Sequence, residues 1–440
     1  MTRRARRSNA PEVDAGVADL AHDGRGIARV DGRAVFVAGA LPGERIRLQP
    51  TGRRQGVEEG ELLGVLQSSP QRVEPACPHF GTCGGCVLQH LAPEAQVAFK
   101  QEQLLQGLER IGGVRPAVVL PPLTGPTWRY RRRARLGVRY VAKKGRVLVG
   151  FRERAAPYVA DLGECRILAG TVSELLPALA RLVGELTIAT QLPQIEVAVA
   201  DATTALVLRV LAEPSADDLT RLRAFEVTHG VSLYLQSGGP DSARPLTADA
   251  LPPSYALPAF GLEFRFQPTD FVQVNAELNE RMVARAVELL DLRTTHSVLD
   301  LFCGLGNFSL PLATRVARVV GVEGDSALIE RARANATFNE LANVEYHVAN
   351  LFEDLADNGW AGQGYDRVLL DPPRAGAREI LPVVDASGAG RVVYISCHPG
   401  SLARDAGLLV REHGFRLAAA GVMDMFPHTA HVEALAVFER

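Results

Sequence analysis

From Gln267-Pro268 onward the chain alternates short apolar runs with helical stretches, and this rhythm narrows the possible folds more than any other feature. The runs are Ser297–Phe302, Val316–Glu323, Val344–Val348, Arg367–Asp371 and Arg391–Cys397. Buried strands separated by helices predict a parallel sheet wound by helices. Two last runs, near Phe415–Met425 and Val432–Phe438, are close enough to pair as a hairpin.

The remainder of the 440 residues reads differently. Residues 12–68 hold closely spaced short strands between Gly-rich turns: Val13–Leu20, Gly26–Val30, Ala34–Val37, Arg45–Gln49 and Glu61–Leu66. They predict a small β-barrel. Ser68-Ser-Pro70 and Pro75 break that pattern. From Pro93 to Ile111 apolar positions Val97, Leu104, Leu105 and Leu108 recur at helical spacing, with Gly112-Gly113 as the stop. Residues 128 to about 260 mix strands (Arg135–Tyr140, Val147–Phe151) with a helical pattern at Val172–Leu186. The expected organisation is a basic tail and barrel over 1–70, a central α+β domain over 71–262 whose segment 93–125 is a connecting helix against the catalytic domain, and an α/β Rossmann-like domain over 263–440.

Net charge is −2, so attraction to nucleic acid must be local. The segment Trp128–Arg154 carries eleven Lys or Arg residues and one acid, Glu153, interleaved with Trp128, Tyr130, Tyr140 and Phe151. That mixture fits phosphate neutralisation with base stacking on RNA. Thr2-Arg-Arg-Ala-Arg-Arg7 is either a second phosphate-touching arm or a solvated tail. No run approaches the roughly 18 apolar residues of a membrane span, and the opening residues lack a signal-peptide pattern, so a cytoplasmic location is expected.

Val298-Leu-Asp-Leu-Phe302 leads into Gly304-Leu-Gly306, where the backbone can approach a ligand closely. Glu323 ends the next strand, suited to accept hydrogen bonds from both ribose hydroxyls. A nicotinamide fingerprint would continue to a third glycine, but Asn307 and Phe308 stand there instead. The loop therefore favours S-adenosylmethionine, which has ribose and adenine but no phosphate. Asp371-Pro-Pro-Arg374 ends the fourth strand on the ligand edge of such a sheet.

Cys397 ends a strand on the same edge, followed by His398-Pro399 and a helical stretch whose dipole is expected to lower the thiol pKa. Methylating uracil at C5 requires a nucleophile to add at C6 first, and a thiolate suits that addition. A base must then remove the C5 proton, and Glu433 is the candidate. Six cysteines in a chain expected in the cytoplasm argue for ligands or a nucleophile over disulfides. Cys77, Cys83 and Cys86, in Cys77-Pro-His-Phe-Gly-Thr-Cys83-Gly-Gly-Cys86, with the remote Cys165, supply four thiolates, enough for a [4Fe-4S] cluster read as a structural clamp; structural zinc is the alternative.

Phe271-Val-Gln-Val-Asn275, Leu299–Asn307, Asp371-Pro-Pro-Arg374, Ile395-Ser-Cys-His-Pro399 with Leu402-Ala-Arg-Asp405, and Asp424–Glu433 together resemble the RNA uracil-C5 methyltransferases. The resemblance implies a TRAM barrel at the N-terminus, a [4Fe-4S] segment of the large-subunit ribosomal RNA branch with Cys165 as fourth ligand, and a 23S ribosomal RNA substrate yielding 5-methyluridine. It implies Cys397 as nucleophile, Glu433 as base, and Gln273, Phe302, Asn307, Glu323, Asn350 and Asp371 as S-adenosylmethionine contacts, with Gln273 and Asp371 close to the target base. His398 departs from the family, which more often has Asn. No membrane and no protein partner is implied, and a monomer is expected. The rival readings are an amino-directed nucleic-acid methyltransferase using Asp371-Pro-Pro, and a non-catalytic iron-sulfur RNA-binding protein.

Overall fold

The computed structural model describes residues 10–440 apart from 55, 155, 249–250, 354 and 356–357. The basic run Thr2–Arg7 lies outside the described residues. The chain forms two compact units. The first contains the described residues of Met1–Gln103, Glu153–Ala156 and Phe426–His431; the second contains those of Leu104–Arg152, Pro157–Met425 and Val432–Arg440.

In the first unit, β1 (Val13–Leu20), β2 (Gly26–Val30), β3 (Arg33–Val37), β4 (Arg45–Arg54) and β5 (Val57–Gln67) close into a barrel of order β1-β2-β3-β5-β4. Inward positions carry small or branched residues, Ala15, Val17, Ala28, Val35, Val37, Ile46 and Leu48, which form the buried core of the barrel. A bulge between Val17 and Asp19 bends β1 as the sheet closes. Glu44, 2% exposed, receives a two-pronged ion pair from Arg72 at 2.5 and 2.8 Å and backbone N–H bonds from Leu41 and Ser69. Those bonds compensate the burial of its charge and tie the barrel to the segment that follows.

Helix α1 (Pro93–Gly107) ends in a widened turn, Leu108–Gly112, stopped by Gly113 at φ +66°. In the second unit, β6 (Val118–Val119) comes first. A six-stranded sheet of order β12-β11-β10-β9-β7-β8 follows, built from β7 (Arg133–Val141), β8 (Arg146–Gly150), β9 (Gln194–Val199), β10 (Thr204–Arg209), β11 (Ser232–Gln236) and β12 (Arg244–Pro245). Helices α2 (Gly170–Glu185) and α3 (Ala216–His229) pack against it. A short hairpin, β13 (Ser254–Leu257) and β14 (Leu262–Arg265), precedes α4 (Ala276–Leu289).

The eight-stranded C-terminal sheet contains β15 (Ser297–Leu301), β16 (Arg318–Glu323), β17 (Val344–Val348), β18 (Arg367–Leu370), β19 (Arg391–Ser396), β20 (Arg416–Met423) and β21 (Glu433–Glu439), with β6 at its edge. Its helices are α5 (Ser309–Ala313), α6 (Ser326–Phe338), α7 (Leu381–Ala386) and α8 (Pro399–Arg411). Strand order is β17-β16-β15-β18-β19-β21-β20-β6. Strands β15 to β19 run parallel, and β21 enters antiparallel between β19 and β20. Near-continuous apolar strands such as Val368-Leu-Leu370 and Val392–Ile395 are buried, as a sheet covered on both faces requires. From β15 the chain winds outward to β17, then returns to the other side at β18. The crevice at that switch, at the carboxyl ends of the strands, is where ligands of such sheets bind.

The turn Leu108–Gly112 sits on α8 so tightly that a Cβ on Gly112 would lie 2.5 Å from the Ala403 carbonyl oxygen, and one on Gly407 would lie 2.6 Å from that of Gly112. Strand β6 then extends the C-terminal sheet by pairing with β20.

Candidate active site

Each parallel strand delivers one of the expected residues at its carboxyl end. Phe302 to Asn307 follow β15, Glu323 ends β16, Asn350 follows β17, Asp371 follows β18 and Cys397 follows β19. The bend after β15 is unusual: Phe302, Gly304 and Gly306 take φ of +64°, +56° and +96°. Gly304 is needed for conformation alone, since a Cβ there would meet nothing, whereas one on Gly306 would lie 2.8 Å from the Tyr346 hydroxyl. The close approach foreseen for a ligand is at Gly306 an approach to a protein side chain. A non-glycine residue held at positive φ, as Phe302 is, marks a loop shaped for a task.

Glu323 fixes this loop. One carboxylate oxygen accepts the Gly304 N–H at 3.2 Å and the other accepts those of Gly324 and Asp325. The oxygen that accepts only the Gly304 N–H retains acceptor capacity for a ribose hydroxyl. Asn307 is held from the far side: its Oδ1 accepts from the Tyr255 hydroxyl at 2.8 Å and from Asn279 Nδ2 at 3.0 Å, and its Nδ2 donates to Asn279 Oδ1. Asn350 is exposed, with Nδ2 donating to Glu353 and Oδ1 accepting the Phe352 N–H. The Phe302 ring faces Phe352 at 5.7 Å, tilted by 52°. Phe352 was not singled out from sequence, because its place beside Phe302 depends on the spacing of β15 and β17 across the sheet.

Gln273 is half-buried in the segment before α4, and Asn275 in the same motif is the helix cap, its side chain accepting the Leu278 N–H. Gln273 lines a small cleft with Tyr255, Val272 and Asn279, which places it beside the groups that hold Asn307. Phe271 stands 72% exposed, an aromatic face available for stacking.

Three carboxyls crowd the switch point. Asp300, fully buried, accepts from the Ser309 hydroxyl, and burial raises its pKa to about 7, helped by Asp371 and Glu323. Burial followed by the Glu323 charge raises Asp371 to about 7 as well.

Antiparallel pairing brings the ends of two strands together at the thiol. The β19–β21 ladder ends at Ser396 opposite Ala434, so Cys397 follows one strand where Glu433 begins the other, and the Glu433 charge acts on the thiol. The thiol pKa is not lowered, contrary to the expectation from the helix dipole. Burial pushes it up to about 11, the carboxylates of Glu433 and Asp371 add to the rise, and the Arg374 guanidinium only partly opposes them. His398 caps α8, its Nδ1 accepting the Ser401 N–H at 3.1 Å. A cap acceptor is also what Asn provides, so this departure from the family keeps the local geometry.

Basicity in Trp128–Arg154 is partly compensated: five of its eleven basic residues pair with acids from outside the run. Arg135 pairs with Glu196 at 3.0 Å, Arg132 with Asp201, Lys144 and Arg146 with Asp161, and Arg129 with Glu174. Arg133 turns inward to the Pro268 carbonyl. The acids come from the 161–201 stretch, beyond the linear window. Arg139, Lys143 and Arg152 are exposed and make no ion pair among the described residues.

In the first unit, the Gly85 N–H donates to Cys83 Sγ at 3.4 Å and the Cys77 N–H to Gln89 Oε1 at 3.2 Å. Burial, with Cys77 nearby, raises the Cys83 thiol pKa. His90, 1% exposed, lies against Phe80 of this loop, with ring centroids 5.4 Å apart and tilted by 36°, and has no hydrogen-bond partner at either ring nitrogen. Cys165 is buried in the second unit. Among the described residues, no group of three or more His, Cys, Asp or Glu side chains is gathered as a ready metal site.

Comparison with known proteins agrees with this geometry. Residues 246–440 match the tRNA (Uracil-5-)-methyltransferase family model and residues 9–49 the TRAM domain. The chain is 53% identical over its whole length to a 23S rRNA (uracil(1939)-C(5))-methyltransferase of Alkalilimnicola ehrlichii, covering 99% of that protein. It is 51% identical to the namesake of Methylococcus capsulatus, with 98% of each covered. Among solved structures it resembles a Pyrococcus abyssi tRNA (uracil-54, C5)-methyltransferase in complex with S-adenosyl-L-homocysteine, with a TM-score of 0.74, 25% identity, and 96% and 99% of the two chains covered. This sheet, with a thiol, two carboxyls and a glycine loop at its switch point, belongs to an S-adenosylmethionine-dependent methyltransferase. The chain is a member of the RNA uracil-C5 methyltransferase family.

Proposed function

We propose that the protein methylates uracil C5 in 23S ribosomal RNA, with Cys397 as nucleophile and Glu433 as base. The observation that carries this reading is that the β19–β21 ladder ends where Cys397 and Glu433 meet, and that the charges of Glu433, Asp371 and Arg374 all act on the Cys397 thiol. Cys397, once deprotonated, adds to C6 and pushes electron density onto C5. Bound S-adenosylmethionine supplies the methyl group. Glu433 then takes the C5 proton, the S–C6 bond breaks and the pair returns to sulfur.

Asp371 and Gln273 border the site and suit reading of the base edge, while Glu323, Phe302, Asn307 and Asn350 suit the cofactor. The target must leave its stack to reach Cys397, at a cost of a few kcal/mol. The barrel and the exposed Arg139, Lys143 and Arg152 are suited to offset that cost by holding the RNA.

We further propose that Cys77, Cys83, Cys86 and Cys165 carry a [4Fe-4S] cluster with a structural role. An N–H already donating to Cys83 Sγ and an orphaned buried imidazole at His90 fit a group rich in sulfur acceptors. Iron and acid-labile sulfide in a ratio of one, about four each per chain, is the expected analysis of anaerobically purified protein; stoichiometric zinc would replace this reading.

RNA bearing 5-fluorouridine tests the main proposal, since fluorine cannot leave as a proton. The expected result is a covalent RNA–protein species that Cys397→Ala abolishes. Glu433→Gln is expected to slow turnover by about 10²–10⁴-fold and to accumulate the methylated adduct on ordinary RNA. Methylation surviving in Cys397→Ala overturns the proposal.

A further inference from the structure

The motif Leu402-Ala-Arg-Asp405 has no part in the chemistry above, yet Asp405 is 0% exposed. One of its carboxylate oxygens accepts from the Tyr394 hydroxyl at 2.7 Å and from the Ala377 N–H at 2.8 Å; the other accepts from Arg404 Nε at 2.8 Å. Arg404 in turn donates through Nη2 to the Ala375 carbonyl at 2.8 Å. Two successive side chains of α8 thus grip the loop that begins at Asp371 on two backbone groups. Between those points lies Gly376 at φ +88°, where a Cβ would stand 2.5 Å from both Arg404 Nη2 and Asp405 Oδ2. Loop and helix fit only with glycine there.

A buried carboxylate is costly unless donors saturate it. Three donors converge here, from β19, from the loop and from α8, so the expense goes into fixing one relative placement. Helix α8 starts two residues after Cys397, and Tyr394 precedes it by three on β19. The elements that carry the thiol are therefore the elements that hold the loop. That loop bears Arg374, whose charge opposes the rise that burial and the carboxylates of Glu433 on β21 and Asp371 on the same loop impose on the Cys397 thiol.

We infer that Asp405 and Arg404 are positioning residues that hold the 371–377 loop so that Arg374 stands beside Cys397 when the thiolate forms. This rests on the reading of Cys397 as nucleophile. Without the grip the loop relaxes outward, the cation withdraws from the sulfur, and thiolate formation shifts to higher pH.

The test is the pH dependence of covalent trapping on 5-fluorouridine RNA, with S-adenosylmethionine affinity and melting temperature measured alongside. Arg374→Met is expected to move the profile upward by about one pH unit, which slows trapping about tenfold at fixed pH. Asp405→Asn and Arg404→Met are expected to move it in the same direction, and Arg374→Met combined with Arg404→Met no further than Arg374→Met alone. Should Asp405→Asn fail to fold, the half-exposed Arg404 still decides the matter. A wild-type profile in folded Arg404→Met, or additive shifts in the double variant, overturns the inference. Methylation persisting in Cys397→Ala would instead remove the reading beneath it.

Discussion

Two strands of the catalytic sheet end in a cysteine-bearing loop that opens a helix, and the two cysteines meet opposite surroundings. Cys303 follows β15; it is 4% exposed, its thiol is driven far above the ordinary range by burial beside Asp300 and Glu323, and its Sγ points to the Gly304 carbonyl. Cys397 follows β19; it is half-buried and feels the charge of a cation as well as of two carboxylates. Both thiols are protonated in the free protein at neutral pH. What separates them is access and the charge of Arg374, so the proposed nucleophile differs from its counterpart through what other strands and loops bring to it.

The largest effect follows directly. Cys397→Ala should abolish trapping of 5-fluorouridine RNA, whereas Cys303→Ala should retain trapping within a few-fold of wild type, read on a denaturing gel. Abolished trapping in a folded Cys303→Ala protein would dissolve the contrast. Because Cys397 is raised to about 11, the wild-type trapping rate should climb with pH through the neutral range, about tenfold per unit while thiolate formation limits it.

How far these sites can be read from the sequence depends on the range of the interactions that make them. Strands β1 and β2 end at the residues their turns predicted, because alternation and Gly-rich turns are local signals. The five parallel strands and their carboxyl-end residues are equally legible, since buried runs punctuated by Gly or Pro need no distant partner to declare themselves. The insertion of β21 between β19 and β20 is not legible, nor is the two-residue β6, because each is defined by long-range pairing. The thiol pKa is not legible for the same reason: the helix dipole is visible next door, but Glu433 and Asp371 arrive from distant parts of the chain. Likewise the acids at Glu196 and Asp201 that neutralise Arg135 and Arg132 sit on and just beyond β9, across from β7.

Asp300 on β15 and Asp371 just after β18 make stability depend on pH: both are raised to about 7, while unfolded chains titrate near 3.9. Between about pH 4 and pH 7 the folded state therefore holds protons that the unfolded state has lost, so stability falls as pH rises through that window and levels off above it. Asp300→Asn removes one of these groups while keeping an acceptor for Ser309. Its melting temperature is expected to exceed wild type at about pH 8, with the gap narrowing toward about pH 4.5. A pH-independent gap would mean that Asp300 does not titrate there.

The smallest effect concerns how each helix begins. Helix α5 has no side-chain cap, and its first turn is buried, with Ser309 bound to Asp300. Helix α8 relies on His398, whose Nδ1 satisfies the Ser401 N–H, with Pro399 supplying a first-turn residue that has no N–H to satisfy. Removing the cap by His398→Ala should cost about 1 kcal/mol in denaturant unfolding, and His398→Asn, which restores an acceptor, only a few tenths. Since α8 also carries Arg404 and Asp405, the alanine variant should loosen the loop slightly and raise the trapping pH profile by less than Arg404→Met does. Equal stability for the alanine and asparagine variants would show that the imidazole acts on the thiol's surroundings by some route other than capping, and the likeness between His398 and the family's Asn would then be one of size alone.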